Sequence, residues 1–183
     1  VERLLKVNFQ DLDKSGQLAI LRTYSVFMSR NGLPEEKQVH AIGEQLDPFF
    51  PSKDNNLNEE LCRVLCYLDH PSAVQKTIAL MKTTKAMIPD FNTDIMKRNK
   101  HYGSRILSTM DADATPNVLN IHLLFCLKGV RVGWTMEDRK AYLGELQNLM
   151  TKKGGNMFTG YIQKIRESAI ASVPDKDRIS LQY

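Results

Sequence analysis

Cys62, Cys66 and His70 stand at one-turn intervals, Cys62-x3-Cys66-x3-His70, and are the first residues whose types suggest chemistry. Thiolate and imidazole are soft metal ligands, but zinc sites commonly pair ligands across a two-residue gap on a turn and use four in all. Both gaps also differ from Cys-x-x-Cys-His, the pattern of covalent haem attachment. The preferred reading is two free thiols beside an apolar stripe and a surface histidine ahead of Pro71. A Cys62–Cys66 bridge within one helix would strain disulfide geometry. The chain's three cysteines are an odd number that suggests no disulfide framework and leans toward a reducing compartment.

A second candidate, Asp11-Leu12-Asp13-Lys14-Ser15-Gly16-Gln17-Leu18, begins like a calcium loop, with oxygen ligands at alternate positions and a glycine at the sixth. Its twelfth position should supply a bidentate glutamate and is Arg22, a cation where a cation must bind. A polar turn in which Asp and Ser cap backbone amides explains the run better. The third candidate is basic: Lys97, Arg98, Lys100, His101 and Arg105 on one expected helix, after Lys82 and Lys85. Such a cluster could meet phosphates, although Asp90, Asp94, Asp111 and Asp113 bracket it, and a solvated charged face is the commoner explanation. The fourth is Trp134, the single tryptophan, beside a helix start. Burial as a plug between helical hairpins is favoured over an exposed partner anchor.

Catalysis has little support. His40, His70, His101 and His122 lie in no motif with an acid or nucleophile, and GxSxG, phosphate-loop and paired-carboxylate signatures are absent. The expectation is a chain that is not an enzyme and has no cofactor or metal ligand of its own.

The elements that position these residues are helical. Residues 57–81 read as two helices joined at Pro71, with Leu61, Val64, Leu65 and Leu68 forming one stripe and Val74, Ile78, Ala79 and Met81 another. Asn58 is the expected N-cap of the first, with Glu59 and Glu60 in its first turn. Before the hairpin, helices are expected over 1–12, 17–30 (Leu18, Leu21, Tyr24, Ser25, Met28) and from Pro34 to 46. After it they are expected over 94–110, 116–130, from Thr135 with Asp138 completing a capping box, and 158–173 with Tyr161, Ile162, Ile165 and Ala169 inward. Gly154-Gly155 is a break, and Pro174-Asp175 begins a frayed tail.

No alternating strand is found. Helix pairs joined by short turns, spaced near the roughly 40–47 residues of HEAT units, suggest an all-α superhelix of stacked antiparallel hairpins. A closed irregular bundle is the alternative. At 183 residues the chain makes one domain, and its net charge of +4 permits an anionic partner without implying one. No run approaches the roughly 20 apolar residues of a membrane helix. A start at Val1 suggests a mature form or a piece of a longer multidomain protein.

Several short motifs add to this: Leu46-Asp47-Pro48-Phe49-Phe50-Pro51, Leu57-Asn58-x-Glu60-Leu61-Cys62 with Tyr67-Leu68, and Arg98-Asn99-x-x-Tyr102-Gly103. Ile121-His122, Gly133-Trp134-Thr135 with Arg139-Lys140-Ala141-Tyr142, and Gly154-Gly155-Asn156-x-Phe158-x-Gly160 continue the series. Their order and spacing resemble the HEAT-like helical region of large extracytoplasmic bacterial proteins. Those proteins also carry a sugar-dehydrogenase-like propeller and a haem-binding c-type cytochrome domain.

The resemblance implies a periplasmic or cell-envelope scaffold between redox modules, contacting neighbouring domains or other proteins, with any haem held by a neighbouring domain. No haem ligand carries over to this chain. The expected contact surface is Lys97, Arg98, Lys100, His101 and Arg105, supported by the Trp134 junction. The alternative function is a nucleic-acid-binding HEAT-like repeat that uses a basic concave face.

Overall fold

Capping residues set where the helices begin. A computed structural model describes residues 1–85, residue 98, 115–153 and 157–178, and the described residues form helices and turns with no strand. In chain order the helices are α1 (Glu2–Leu5), α2 (Lys14–Asn31), α3 (Glu36–Leu46), α4 (Asn55–Tyr67) and α5 (Ala73–Thr83). Then come α6 (Val118–Leu127), α7 (Met136–Met150), α8 (Phe158–Ala171) and α9 (Asp175–Arg178). Among the described residues no helix is long and apolar enough to cross a membrane.

The expected first helix is broken in two. A single turn, Glu2–Leu5, is followed by a 3-10 turn, Phe9–Asp11, whose preceding Asn8 accepts from Gln10 N. The Gln45 amide donates to the carbonyls of Leu4 (3.2 Å) and Val7 (2.9 Å), groups a continuous helix would have used itself. Asp13 caps α2 by accepting from Gly16 N at 2.9 Å, so the helix starts inside the calcium-like loop, as the polar-turn reading required.

Asp54, not Asn58, caps α4, accepting from Asn56 N and Leu57 N. Asn58 is only 1% exposed and binds both backbone groups of Ser52, fixing the connection that leads into the helix. Thr135 and Asp138 form both halves of the capping box that starts α7.

Helix α4 carries the core. Leu61, Val64 and Leu65 are fully buried, and the helix lies between α2 on one side and α6 on the other. Helix α5 contacts α4, α6 and α7, and α8 contacts α6 and α7. Ala79 is exposed rather than inward, because Thr77, Ile78, Leu80 and Met81 fill the buried side of α5. Tyr161 is also exposed, at 43%, one position off the Ile162–Ile165–Ala169 stripe of α8, and its ring stacks on Phe125 at 6.1 Å. Of the expected frayed tail, Asp175–Arg178 form the single turn of α9, and residues 179–183 lie outside the described residues.

The corner between α4 and α5 is gripped from two sides. The His70 ring lies against Gly43 of α3, where an added Cβ would stand 2.5 Å from Cδ2. On the other side Gly133, at φ +76°, meets the carbonyl of Pro71. Asp69 takes a left-handed conformation (φ 51°) and accepts from Arg131 N at 2.8 Å; aspartate tolerates that conformation better than most residues.

Candidate functional site

Of the expected contact surface, Lys97, Lys100, His101 and Arg105 lie outside the described residues, as does nearly all of the helix expected over 94–110. Arg98 is helical and exposed. Trp134 is half-buried, and its indole Nε1 donates to the Val130 carbonyl at 2.8 Å. Its ring meets Tyr142 edge-on, with centroids 5.4 Å apart. The Arg139 guanidinium sits over the same ring, 5.1 Å from its centroid.

Arg139 itself is 7% exposed and its Nε lies 3.9 Å from Asp177 of α9. Burial lowers the Arg139 guanidinium from its ordinary value against the pull of Asp177. The space left among Trp134, Arg139, Tyr142 and Val173 is about 10 Å³, the lower limit for one water. Trp134 therefore plugs the junction of α6, α7 and α8 instead of standing out as an anchor.

His70 does not face solvent as the sequence suggested, nor does it join the thiols. Its Nδ1 is 3.0 Å from Ser72 Oγ and 3.6 Å from Asp47 Oδ1, and its side chain is 15% exposed. Ser72 also donates to Asp47, and Lys76 Nζ reaches Asp47 Oδ1 at 2.8 Å and the Asp47 carbonyl at 2.7 Å. Serine, histidine and aspartate meet here, but Ser72 and Asp47 both lie on Nδ1. A relay that activates a serine needs the two on opposite ring nitrogens. The network ties the α4–α5 corner to the end of α3.

Burial works to raise the Asp47 carboxyl, but the hydrogen bonds from Lys76 and Ser72 outweigh it and hold the group below its ordinary value. A depressed carboxylate contributes stability above its unfolded pKa and loses it as pH falls through the folded value. Between about pH 5 and pH 2 the urea midpoint should therefore fall less in Asp47→Asn than in the wild type. Equal slopes in both proteins would remove Asp47 from the acid response.

A constellation that the sequence did not single out lies between α4 and α6. Cys62 and Cys66 are buried with their sulfurs 3.7 Å apart, and Cys62 also meets Thr77 Oγ1 at 3.6 Å. From α6, Cys126 Sγ is 3.4 Å from His122 Nε2. The same His122 nitrogen is 3.0 Å from the Glu59 carbonyl.

Burial pushes the Cys62 thiol well above its usual value, and Cys62 together with burial does the same to Cys126. For His122 burial works downward, but Cys126 and the Glu59 carbonyl outweigh it and raise the imidazole. The available signal was His122-x3-Cys126, a second pair at one-turn spacing within one apolar helix. As placed, these side chains form a file, and among the described residues no three His, Cys, Asp or Glu side chains are arranged to hold a metal ion.

Comparisons with protein-family models, curated proteins and solved structures each returned no match.

Proposed function

We propose that this chain is a non-catalytic helical-repeat scaffold of HEAT type, a superhelix of stacked hairpins offering one face to a neighbouring domain or protein. One observation carries the reading: the order of helix neighbours. Helices α2, α4, α6 and α8 touch in sequence as one row, while α5 and α7 touch behind them. Among the described helices, α4 to α8 alternate between the two rows, as stacked hairpins do, with each unit packing on its neighbours. The use made of buried polar groups agrees with it. Gln45 and Asn120 bond groups of other segments and Asn58 fixes the entry to its own helix, so their chemistry is spent on holding the fold.

The contact surface in this reading is the basic run from Lys97 to Arg105. An immobilised chain should retain a protein from an extract of its source, and R98E/R105E should weaken that affinity at least tenfold. Unchanged affinity would remove the surface. Duplex DNA is the control ligand, since phosphate binding would fall steeply with added salt.

The wider setting, a spacer between redox modules outside the cytoplasm, rests on the motif resemblance alone. Intact mass and visible absorption of the native protein test it. A mass far above 20.9 kDa with a c-type haem spectrum is expected; a mass near that value without a chromophore contradicts it.

A further inference from the structure

We propose that the break between α1 and the 3-10 turn forms a binding site for a small carboxylate with an aliphatic tail. Residues 5–9, which make the break, line one side of a cavity of about 370 Å³, and Gln45 and Phe49 line the other. That volume falls within the roughly 300–1,000 Å³ of small-molecule sites.

The walls are held in place before any ligand arrives. Gln45 Nε2 donates to the Val7 carbonyl at 2.9 Å, and its Oε1 accepts from the Tyr24 hydroxyl at 2.8 Å. Gln17 Nε2 donates to the Phe9 carbonyl at 3.1 Å. The Phe9 ring, 2% exposed, packs on Phe49 with centroids 4.8 Å apart. The recess is thus tied to both α2 and α3, and a ligand need not shape it.

The ligand's chemistry follows from what is left to meet it. The side-chain amides are spent: Gln45 as above, and Asn8 on Asp11 and on Gln10 N. Lys6 is exposed at the cavity and makes no ion pair among the described residues. Half-buried Leu5, Val7 and Phe49 supply hydrocarbon. One ammonium beside apolar walls fits a single negative head group on an apolar tail, and lysine, a point charge, needs no bidentate geometry to hold it. A polyanion would leave most of its charge unpaired, and a neutral polar molecule would find the amides taken.

The site is independent of the scaffold reading, and its failure leaves that reading untouched. The probe is octanoate, titrated into the nitrogen-15-labelled full chain and followed by amide chemical shifts. Shifts at residues 5–9, Gln45 and Phe49 should saturate, with half-occupancy at about 1 mM or below. Lys6→Glu, an exposed change that leaves the walls intact, should weaken binding by about fivefold or more. Octanol tests the charge without a variant and should bind about threefold or more weaker than octanoate. No saturable shift by about 10 mM octanoate overturns the proposal. So do shifts scattered over the surface, an affinity that Lys6→Glu leaves unchanged, or octanol binding as well as octanoate.

Discussion

Gly133→Ala should cost about 3 kcal/mol of unfolding free energy, seen as a fall in Tm of about 10 °C. Two effects add. The residue sits at φ +76°, where any side chain strains the backbone by about 1–2 kcal/mol. The new Cβ would also lie closer than 3.0 Å to the Pro71 carbonyl oxygen, which is backbone and has no rotamer to retreat into. Relief requires the α4–α5 corner to draw away from the α6–α7 connection, which would loosen the Arg131–Asp69 bond beside it.

Gly32→Ala separates the two effects. That glycine shares φ +76° but has nothing within 4 Å of an added Cβ, so only backbone strain, about 1–3 kcal/mol at its ψ of −169°, applies. Thermal unfolding of both variants measures the difference. Equal losses would mean that the contact with Pro71 contributes nothing.

Leu65→Ala should cost about 3–4 kcal/mol, within the range for buried leucines whose surroundings relax only partly. Leu65 is fully buried on the helix that α2 and α6 clasp from opposite sides, so neither neighbour can move in without opening a gap on its other face. Urea unfolding should show a lower midpoint with an unchanged slope. Leu33→Ala is the matched control, because Leu33 is 55% exposed and its truncation should stay within about 0.5 kcal/mol. A loss at Leu65 no larger than the control would contradict a core centred on α4.

Much of the fold was legible in the sequence because local signals were strong. The Leu61–Val64–Leu65–Leu68 stripe, the Thr135–Asp138 box and the Asn31-Gly32 stop all stand where periodicity and capping chemistry placed them. The errors arose where distant side chains overrode local preference. The Gln45 amide, some forty residues away in sequence, takes the carbonyls at which the first helix breaks. Ser52 draws Asn58 into a buried pairing and leaves capping to Asp54. His70 looked exposed from its own helix but is covered by Gly43 of another.

The thiol cluster was half legible for the same reason. Cys62 and Cys66 announce themselves as a pair of free thiols, but only the packing of α6 on α4 brings the helix that carries Cys126 and His122 against theirs. His70, read as a surface residue, turns instead to Ser72 and Asp47.

The most direct test of the stacked arrangement is native-state hydrogen exchange on the wild type and on Gly133→Ala. In a row of hairpins each unit is stabilised by its neighbours, so loosening the Pro71–Gly133 junction should expose one side of it selectively. Amides of α6, α7 and α8 should lose protection while those of α2 to α5 keep most of theirs. Uniform loss across every helix would mean one indivisible bundle, and would contradict the reading of this chain as a stack of helical repeats.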